Sequence, residues 1–114
     1  MVGAAARDVE CVPMDAEWID RGAASVDAIL CRWGLMHVYD LDAALRECRR
    51  VIRPGGRLVA AVWTTPEENP WITVARTIVD GALGDGAAVS QSTGAPGMFA
   101  LCDTAAFTES LYNA

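Results

Sequence analysis

The sequence predicts an α/β fold, an open parallel sheet whose central part is one strand–helix–strand unit over residues 25–63. Two short runs, residues 28–31 and 58–63, are continuously apolar, which is typical of strands buried on both faces of a parallel sheet. An amphipathic helical segment lies between them, and no hairpin signal joins the two runs. A strand, a crossover helix and a second strand of this kind are expected to be parallel and right-handed.

A shorter apolar run, residues 9–14, predicts a further strand ahead of this unit, bounded by Pro13 and Asp15. Residues 17–24 then read as a connection that contains one turn signal, Arg21-Gly22. The sequence therefore predicts three strands, of which the second and third belong to the strand–helix–strand unit.

The crossover helix carries clear start and stop signals. Asp40 is expected to cap it, because an aspartate oxygen can accept from the free N–H groups of the first turn. Pro54 is expected to stop it, and Gly55-Gly56 to supply a positive-φ turn before the next strand. The apolar positions that follow the 3.6-residue period, and are expected to be buried, are Leu41, Ala44, Leu45, Cys48, Val51 and Ile52.

The remaining chain reads as helices and loops. Residues 64–70 form a polar loop, and residues 71–82 an amphipathic helix that glycines 81, 84 and 86 are expected to end. Residues 84–97 are rich in Gly, Ala and Ser and predict a flexible stretch, and a last helix is expected over residues 104–112.

Composition excludes several classes of function. The formal net charge of the 114 residues is −6, which disfavours nonspecific binding to DNA, RNA or an anionic membrane. All nine basic residues are arginine, so no lysine can act as a Schiff-base nucleophile or a phosphate-loop ligand. No apolar run approaches the length of a membrane span, and no signal-peptide pattern is present. A soluble, cytoplasmic protein is expected.

The four cysteines, Cys11, Cys31, Cys48 and Cys102, are widely spaced and form no CxxC pair. A zinc site is therefore not expected, and small buried hydrophobic residues in a reducing cytosol are the favoured interpretation. Three spaced acids, Asp15, Glu17 and Asp20, are too few ligands for a metal site.

Ligands of open α/β sheets bind beyond the carboxyl ends of the strands, and three segments of this sequence qualify. They are residues 14–18, 32–37 and 64–66, each directly after a predicted strand.

These segments and their neighbours carry a family resemblance. The strings MDAEWID, SVDAILCRWGLMHVYDLDAALRECRRVIRPGGRLVAAVW and PEENPW resemble class I S-adenosylmethionine-dependent methyltransferases. The nearest branch is the one similar to ubiquinone/menaquinone-biosynthesis methyltransferases and the broad type 11 domain. The Arg-Pro-Gly-Gly-Arg-Leu turn and the Asp-Ala pair are its strongest markers, and it covers roughly residues 8–75.

The resemblance implies a partial Rossmann-like methyltransferase sheet holding the equivalents of strands 3, 4 and 5. It implies one truncated domain over residues 1–114, with an α/β core in residues 8–63 and a helical and loop segment on the substrate side in residues 64–114. The implied activity is methyl transfer from S-adenosylmethionine to a small-molecule acceptor.

Four cofactor-binding residues are implied by the same resemblance. Asp15 would accept a hydrogen bond from the adenine amino group, and the backbone of Ala16 would face the adenine ring. Arg32 and Trp33 would lie beside the methionyl part of the cofactor. No catalytic residue is implied.

Structural alternatives stay open for these and neighbouring residues. The structural alternative for Asp15 is that it caps the turn that follows it. Trp18 and Trp33 are explained as well by packing as by contact with a ligand. His37, the only histidine, is a conceivable general base, but packing or capping also explains it.

Two features of the family are missing from this sequence. They are the glycine-rich loop after strand 1 and the acid after strand 2 that binds the ribose hydroxyls. Strands 1 and 2 lie in the family between the equivalents of the strands at residues 9–14 and 28–31. The first strand is therefore expected either to pair directly with the second or to require another chain.

The alternative function is that of a non-catalytic remnant. Such a remnant would associate, for example with itself, through its open sheet edge.

Overall fold

Two parallel strands and the helix that connects them form the centre of the molecule. The computed structural model describes residues 9–83 and 95–114. Its strands are β1 (Val26–Arg32) and β2 (Ile52–Ala61), and its helices are α1 (Leu41–Val51), α2 (Pro70–Leu83) and α3 (Thr104–Asn113). Short 3-10 turns occur at Leu35–His37 and Pro66–Glu68. This two-stranded parallel sheet with flanking helices agrees with the predicted fold class, a partial Rossmann-like sheet.

The pairing of the two strands contains one interruption. Val26 pairs with Ile52, Ala28 pairs with Arg57, and the register then runs without a break to Arg32 and Ala61. Between the first two pairs β1 advances by two residues while β2 advances by five, so residues 53–56 bulge out of the pairing. We call residues 53–56 the excursion in β2. The predicted strand at 58–63 therefore begins earlier, at Ile52, and ends earlier, at Ala61.

Helix α1 forms as its sequence predicts. Asp40 Oδ1 accepts from the Ala43 N–H at 2.8 Å, which confirms the predicted cap. The predicted stop at Pro54 is wrong, because the helix already ends at Val51 and Pro54 lies inside β2. Ile52, expected on the buried face of the helix, is also in β2 and only half-buried. Its buried residues are Ala44, Leu45, Cys48 and Val51, all of them predicted.

The core lies between α1 and one face of the sheet. Leu35, Ala44 and Leu45 form its centre. Partly buried residues pack around them: Cys31, Val38, Leu41, Leu58, Ala60, Leu101 and Phe107. The opposite face of the sheet is open, since Leu30 is 81% exposed and Val59 is 55% exposed.

The predicted strand over residues 9–14 is not formed in the isolated chain. These residues have no regular secondary structure, and an isolated antiparallel bridge joins Asp15 and Trp18 just after them. A strand exists through hydrogen bonds to a neighbour, and β1 pairs only with β2 in the described part of the chain. The expectation that this segment pairs directly with β1 is therefore wrong.

Helices α2 and α3 confirm the two helices predicted in the second half of the chain. Gly81 lies inside α2 and does not end it, while glycines 84 and 86 and most of the predicted flexible stretch lie outside the described residues. Asp103 caps α3, and the Gly97 N–H donates to the Met36 carbonyl at 2.8 Å, which attaches the segment before α3 to the core.

None of the helices within residues 9–83 and 95–114 is both long and apolar enough to cross a membrane. All four cysteines are unpaired, with Cys48 buried and Cys11 exposed.

Candidate functional site at the carboxyl edge of the sheet

Three tryptophans from separate elements meet beyond the carboxyl ends of the two strands. Trp33 follows β1, Trp63 lies two residues after β2, and Trp71 is in the first turn of α2. The rings of Trp33 and Trp63 are stacked, with centroids 4.7 Å apart and an interplanar angle of 11°. Trp71 is tilted by 59° against Trp63 at 5.1 Å. We call Trp33, Trp63 and Trp71 the tryptophan cluster.

Trp33 has a backbone conformation that bulky residues rarely adopt. Its φ is +58°, and its N–H donates to the Ala61 carbonyl at 2.8 Å, one step beyond the last strand pair. Such a left-handed conformation costs about 1–3 kcal/mol and persists only where surrounding contacts hold it. The stack on Trp63 and the hydrogen bond to Ala61 are those contacts.

Arg32 occupies the other face of the Trp33 ring. Its guanidinium carbon lies 3.7 Å from the Trp33 centroid, a cation–π contact. A guanidinium at that distance and a parallel indole at 4.7 Å would collide on one face, so they lie on opposite faces. Arg32 and Trp33 are thus in contact with each other at the predicted edge of the sheet, and their role beside a cofactor stays a prediction.

Asn69 shapes the loop that brings Trp71 to Trp63. It is only 6% exposed, and its Nδ2 donates to the Thr65 carbonyl at 2.8 Å and to Thr64 Oγ1 at 3.1 Å. Asn69 and Trp71 belong to the string PEENPW that carries part of the family resemblance, but neither they nor Trp63 received an individual role from the sequence. The Asn-Pro pair at Asn69 and Pro70 was the available signal, because it favours the start of a turn.

Asp15 and Ala16 lie exposed on a separate turn. Asp15 Oδ1 accepts from the Glu17 N–H at 2.9 Å, so Asp15 does cap the turn that follows it, as one alternative predicted. Within the described residues no hydrogen bond or ion pair joins Asp15 or Ala16 to Arg32. Their predicted adenine contacts stay a prediction.

Glu17 ties this turn to the start of α1. Its Oε1 accepts from the Tyr39 N–H at 2.6 Å and from the Asp40 N–H at 3.2 Å. The first candidate segment, residues 14–18, is therefore attached just after the second, residues 32–37. Sequence reasoning considered Glu17 only as a metal ligand, because its two partners are more than twenty residues away.

Glu47 and Arg50 hold the connection before β1 against α1. Glu47 Oε2 accepts from the Ile19 N–H at 2.9 Å, and Arg50 Nη1 and Nη2 donate to the Arg21 and Ile19 carbonyls at 2.8 and 2.7 Å. The hydrogen bond from Arg50, together with the Ile19 N–H and the charge of Arg50, lowers the pKa of Glu47 to about 2, although burial opposes the shift. Arg50 correspondingly has a raised pKa.

The contacts of Glu47 and Arg50 with residues 19 and 21, called here the clamp, predict that the stability of the fold depends on pH in the acid range. Because the pKa of Glu47 is about 2 in the folded chain against 4.5 for the free group, its stabilising contribution is complete above pH 4.5. The contribution is lost as the pH falls from 4.5 towards 2. Thermal unfolding of the wild type and of Glu47→Gln is expected to show a stability difference at neutral pH that shrinks across this window. A difference that stays constant from neutral to acid pH would contradict the clamp.

Two further candidates from the sequence are exposed. Trp18 is 77% exposed, so packing does not explain it within the described part of the chain. His37 is exposed at the end of a 3-10 turn, and its backbone N–H donates to the Gly34 carbonyl at 3.0 Å. Its role as a general base stays an untested alternative.

A cleft of about 740 Å³ lies at the opposite, amino end of the strands. The end of α1, the excursion at residues 53–56 and the end of α3 form its walls. Ligands of parallel α/β sheets bind at the carboxyl end, so the surface around the tryptophan cluster is the better candidate site.

Comparison with known proteins identifies the family. A methyltransferase-domain family model matches residues 2–60, half of the chain. A demethylmenaquinone methyltransferase of Mycolicibacterium vanbaalenii is 40% identical over 83 residues, which cover 73% of this chain and 36% of that protein. The same values hold for a protein of that name from Mycolicibacterium paratuberculosis. One from Mycobacterium marinum is 46% identical over 57 residues, 50% of this chain and 25% of that protein.

The matched region thus spans about a third of the length of these curated relatives. The family match includes β1, all but the last residue of β2, α1 and the turn that carries Asp15 and Ala16. The chain belongs to the class I S-adenosylmethionine-dependent methyltransferases of the ubiquinone/menaquinone type.

Proposed function

We propose that this chain serves S-adenosylmethionine-dependent methyl transfer to a small-molecule acceptor, with the cofactor held along the carboxyl edge of the sheet. The observation that carries the proposal is the placement of Arg32 and Trp33 at the end of β1, in a strained turn supported by aromatic stacking. The relatives are named demethylmenaquinone methyltransferases, which favours an acceptor of that type.

The residues present suit the adenine end of the cofactor. Asp15 Oδ1 is engaged by the Glu17 N–H, whereas no described residue donates to its second carboxylate oxygen. The exocyclic adenine amine is a donor, so an exposed carboxylate oxygen is a suitable acceptor for it. Arg32 and Trp33 would line the methionyl end. When bound, the cofactor supplies an activated methyl group on its sulfonium.

The contribution of the chain's own residues is positioning. Holding donor and acceptor in line can supply about 7–11 kcal/mol of a barrier without any proton transfer. The glycine-rich loop of the family is not among these 114 residues, so this chain alone is expected to bind the cofactor weakly. Full activity then depends on further protein that supplies that loop.

Chemical-shift mapping with the ¹⁵N-labelled chain and S-adenosylmethionine tests the site. Weak, saturable shifts are expected at Asp15, Ala16, Arg32 and Trp33, and Asp15→Ala is expected to reduce them. Asp20→Ala, in the exposed segment beyond the turn, is the matched control and is expected to leave them unchanged. Shifts confined to the cleft at the amino end of the strands would contradict the proposed site, and micromolar binding by calorimetry would contradict the expected weakness.

A second candidate function is association through the open sheet. β1 pairs only with β2 in the described part of the chain, and Leu30 and Val59 are exposed on the uncovered face. Such an edge invites another strand, which makes a homo-oligomer or an interaction module the alternative.

Light scattering coupled to size exclusion tests this alternative. Association is expected to weaken in Leu30→Lys and to persist in Tyr112→Lys, a control on α3 where the side chain is 86% exposed. A wild-type chain that stays monomeric at high concentration would rule the alternative out.

A further inference from the structure

We propose that Glu17 is a positioning residue of the cofactor site, because its carboxylate fixes the turn that carries Asp15 and Ala16 against the start of α1. This role rests on the proposed function and adds a residue that acts through Asp15 rather than on the cofactor. The hydrogen bonds of Glu17 carry it, together with the burial of the chain between Trp33 and α1.

The turn at Asp15 takes its shape from local contacts, but these contacts do not fix its position. Asp15 Oδ1 accepts from the Glu17 N–H at 2.9 Å, and the Trp18 N–H donates to the Asp15 carbonyl at 3.3 Å. Both bonds lie within four residues, so they would persist if the whole turn moved. Asp15 and Ala16 are exposed, and residues 9–14 before them have no regular secondary structure. The position of the turn therefore depends on the residues that follow Asp15.

The Glu17 side chain provides the contact that fixes this position. Its Oε1 accepts from the main-chain N–H groups of Tyr39 at 2.6 Å and Asp40 at 3.2 Å, directly before the first residue of α1. Hydrogen bonds to a charged acceptor are stronger than neutral ones, and the positive end of the helix dipole favours a carboxylate there. Because both donors are backbone groups without rotamer freedom, Glu17 is held where α1 begins.

The start of α1 is itself fixed relative to Arg32 and Trp33. Between Trp33 and Tyr39 the chain passes through Leu35 and Met36, which are 3% and 1% exposed. Side chains buried to this extent hold the connection against the sheet, because moving them would expose apolar surface. Through Tyr39, the turn at the proposed adenine end is thus attached to the same segment that carries the residues of the proposed methionyl end.

The clamp attaches the chain to α1 at a second point, further from Asp15. Its contacts begin at Ile19, four residues after Asp15, whereas Glu17 is two residues after it. Four residues of extended chain reach about 13 Å, so the clamp alone leaves the turn free to move by several ångströms. A binding residue has to be held to within about 0.5 Å of its working position. Glu17 supplies the precision that the clamp lacks.

Backbone ¹⁵N relaxation of the chain without any ligand tests the attachment. Glu17→Ala is expected to lower the order parameter of the Ala16 amide from about 0.85, typical of rigid backbone, to below about 0.6. Glu47→Gln is the matched control, because it removes the charge that pairs with Arg50 but keeps an oxygen for the Ile19 N–H. A rigid Ala16 amide in Glu17→Ala, or an equal loss of order in the two variants, would overturn the positioning role.

Chemical-shift mapping with S-adenosylmethionine separates positioning from a purely structural role. Glu17→Ala is expected to weaken the saturation of the shifts at Asp15 and Ala16 about tenfold. Glu17→Gln is expected to restore part of the affinity, because its amide oxygen still accepts from both N–H groups. Glu47→Gln is expected to lower the melting temperature and leave these shifts unchanged.

Two results of this mapping would overturn the positioning role. Equal weakening in Glu17→Ala and Glu47→Gln would mean that cofactor binding follows the stability of the fold. Affinity in Glu17→Gln no better than in Glu17→Ala would mean that the two hydrogen bonds do not carry the effect.

Failure of the positioning role and failure of the proposed function give different results. A wild type without saturable shifts at Asp15, Ala16, Arg32 and Trp33 would remove the proposed function, and the cofactor role of Glu17 with it. Wild-type shifts that persist unchanged in Glu17→Ala would overturn the positioning role alone. Circular dichroism identifies any variant that does not fold. Glu17→Asp, whose carboxylate is one methylene short of the two N–H groups, then replaces Glu17→Ala.

Discussion

Leu45→Ala is expected to lower the free energy of unfolding by about 2–5 kcal/mol. Leu45 is 2% exposed and stands at the centre of the core beside Leu35 and Ala44. Truncation removes its transfer free energy and leaves a cavity that the surrounding residues fill only in part. Because small domains are stable by only about 5–15 kcal/mol in total, this one change is expected to populate the unfolded chain at 37 °C.

Urea unfolding followed by circular dichroism measures this effect, and Leu30→Ala is the matched control. The same methyl and methylene groups are removed at Leu30, but its side chain is 81% exposed on the uncovered face of the sheet. The control is expected to change stability by no more than about 0.5 kcal/mol. Equal losses at the two leucines would mean that the core does not lie between α1 and the sheet.

Gly56→Ala is the second large expected effect, with a loss of about 3 kcal/mol. A Cβ added at Gly56 would lie 2.5 Å from Ile52 Cγ2 and 2.6 Å from the Asp27 carbonyl oxygen. The second contact is with backbone, so relief requires the two strands to separate where their register is interrupted. Gly55 next to it already has a φ of +81°, which leaves the excursion little room to adjust.

Gly81→Ala is the control for this substitution. An added Cβ meets nothing within 4 Å there, and Gly81 lies inside α2. Alanine is the better helix former by about 1 kcal/mol, so the control is expected to gain stability. Thermal unfolding compares the two variants, and a Gly56→Ala chain as stable as Gly81→Ala would contradict the close approach of β1 and β2 at residue 56.

Much of the fold follows from local signals. The cap at Asp40, the period of Ala44, Leu45 and Cys48, and the positive φ of Gly55 were each predicted from neighbouring residues. These features depend on contacts within a few residues, which a sequence displays directly. The strand over residues 9–14 was predicted wrongly, because an apolar run indicates a capacity to pair but not the presence of a neighbour.

The position of Arg32 and Trp33 at the edge of the sheet was predicted, but the contacts that these residues make were not. Arg32 and Trp33 were expected at the carboxyl edge from the order of strand and helix alone. The contact between Arg32 and Trp33 was not predicted. The stack of Trp33 on Trp63 was not predicted either, because the two tryptophans are thirty residues apart in the chain. Asp15 shows the converse case, because its turn-capping role is local and was anticipated.

The sequence by itself determined the strand–helix–strand unit, its parallel sense and the family. The unit and its parallel sense rest on hydrophobic period, capping and connection length, which are encoded within about forty residues, whereas the family rests on the strings that carry the resemblance. Only the tertiary structure decided that residues 9–14 have no partner strand within residues 9–83 and 95–114, that Glu17 attaches the Asp15 turn to α1, and that Trp71 completes the tryptophan cluster. The physical reason is that each of these depends on distant groups meeting in space, where a hydrogen bond or a stacked ring selects one partner among many of equal local propensity.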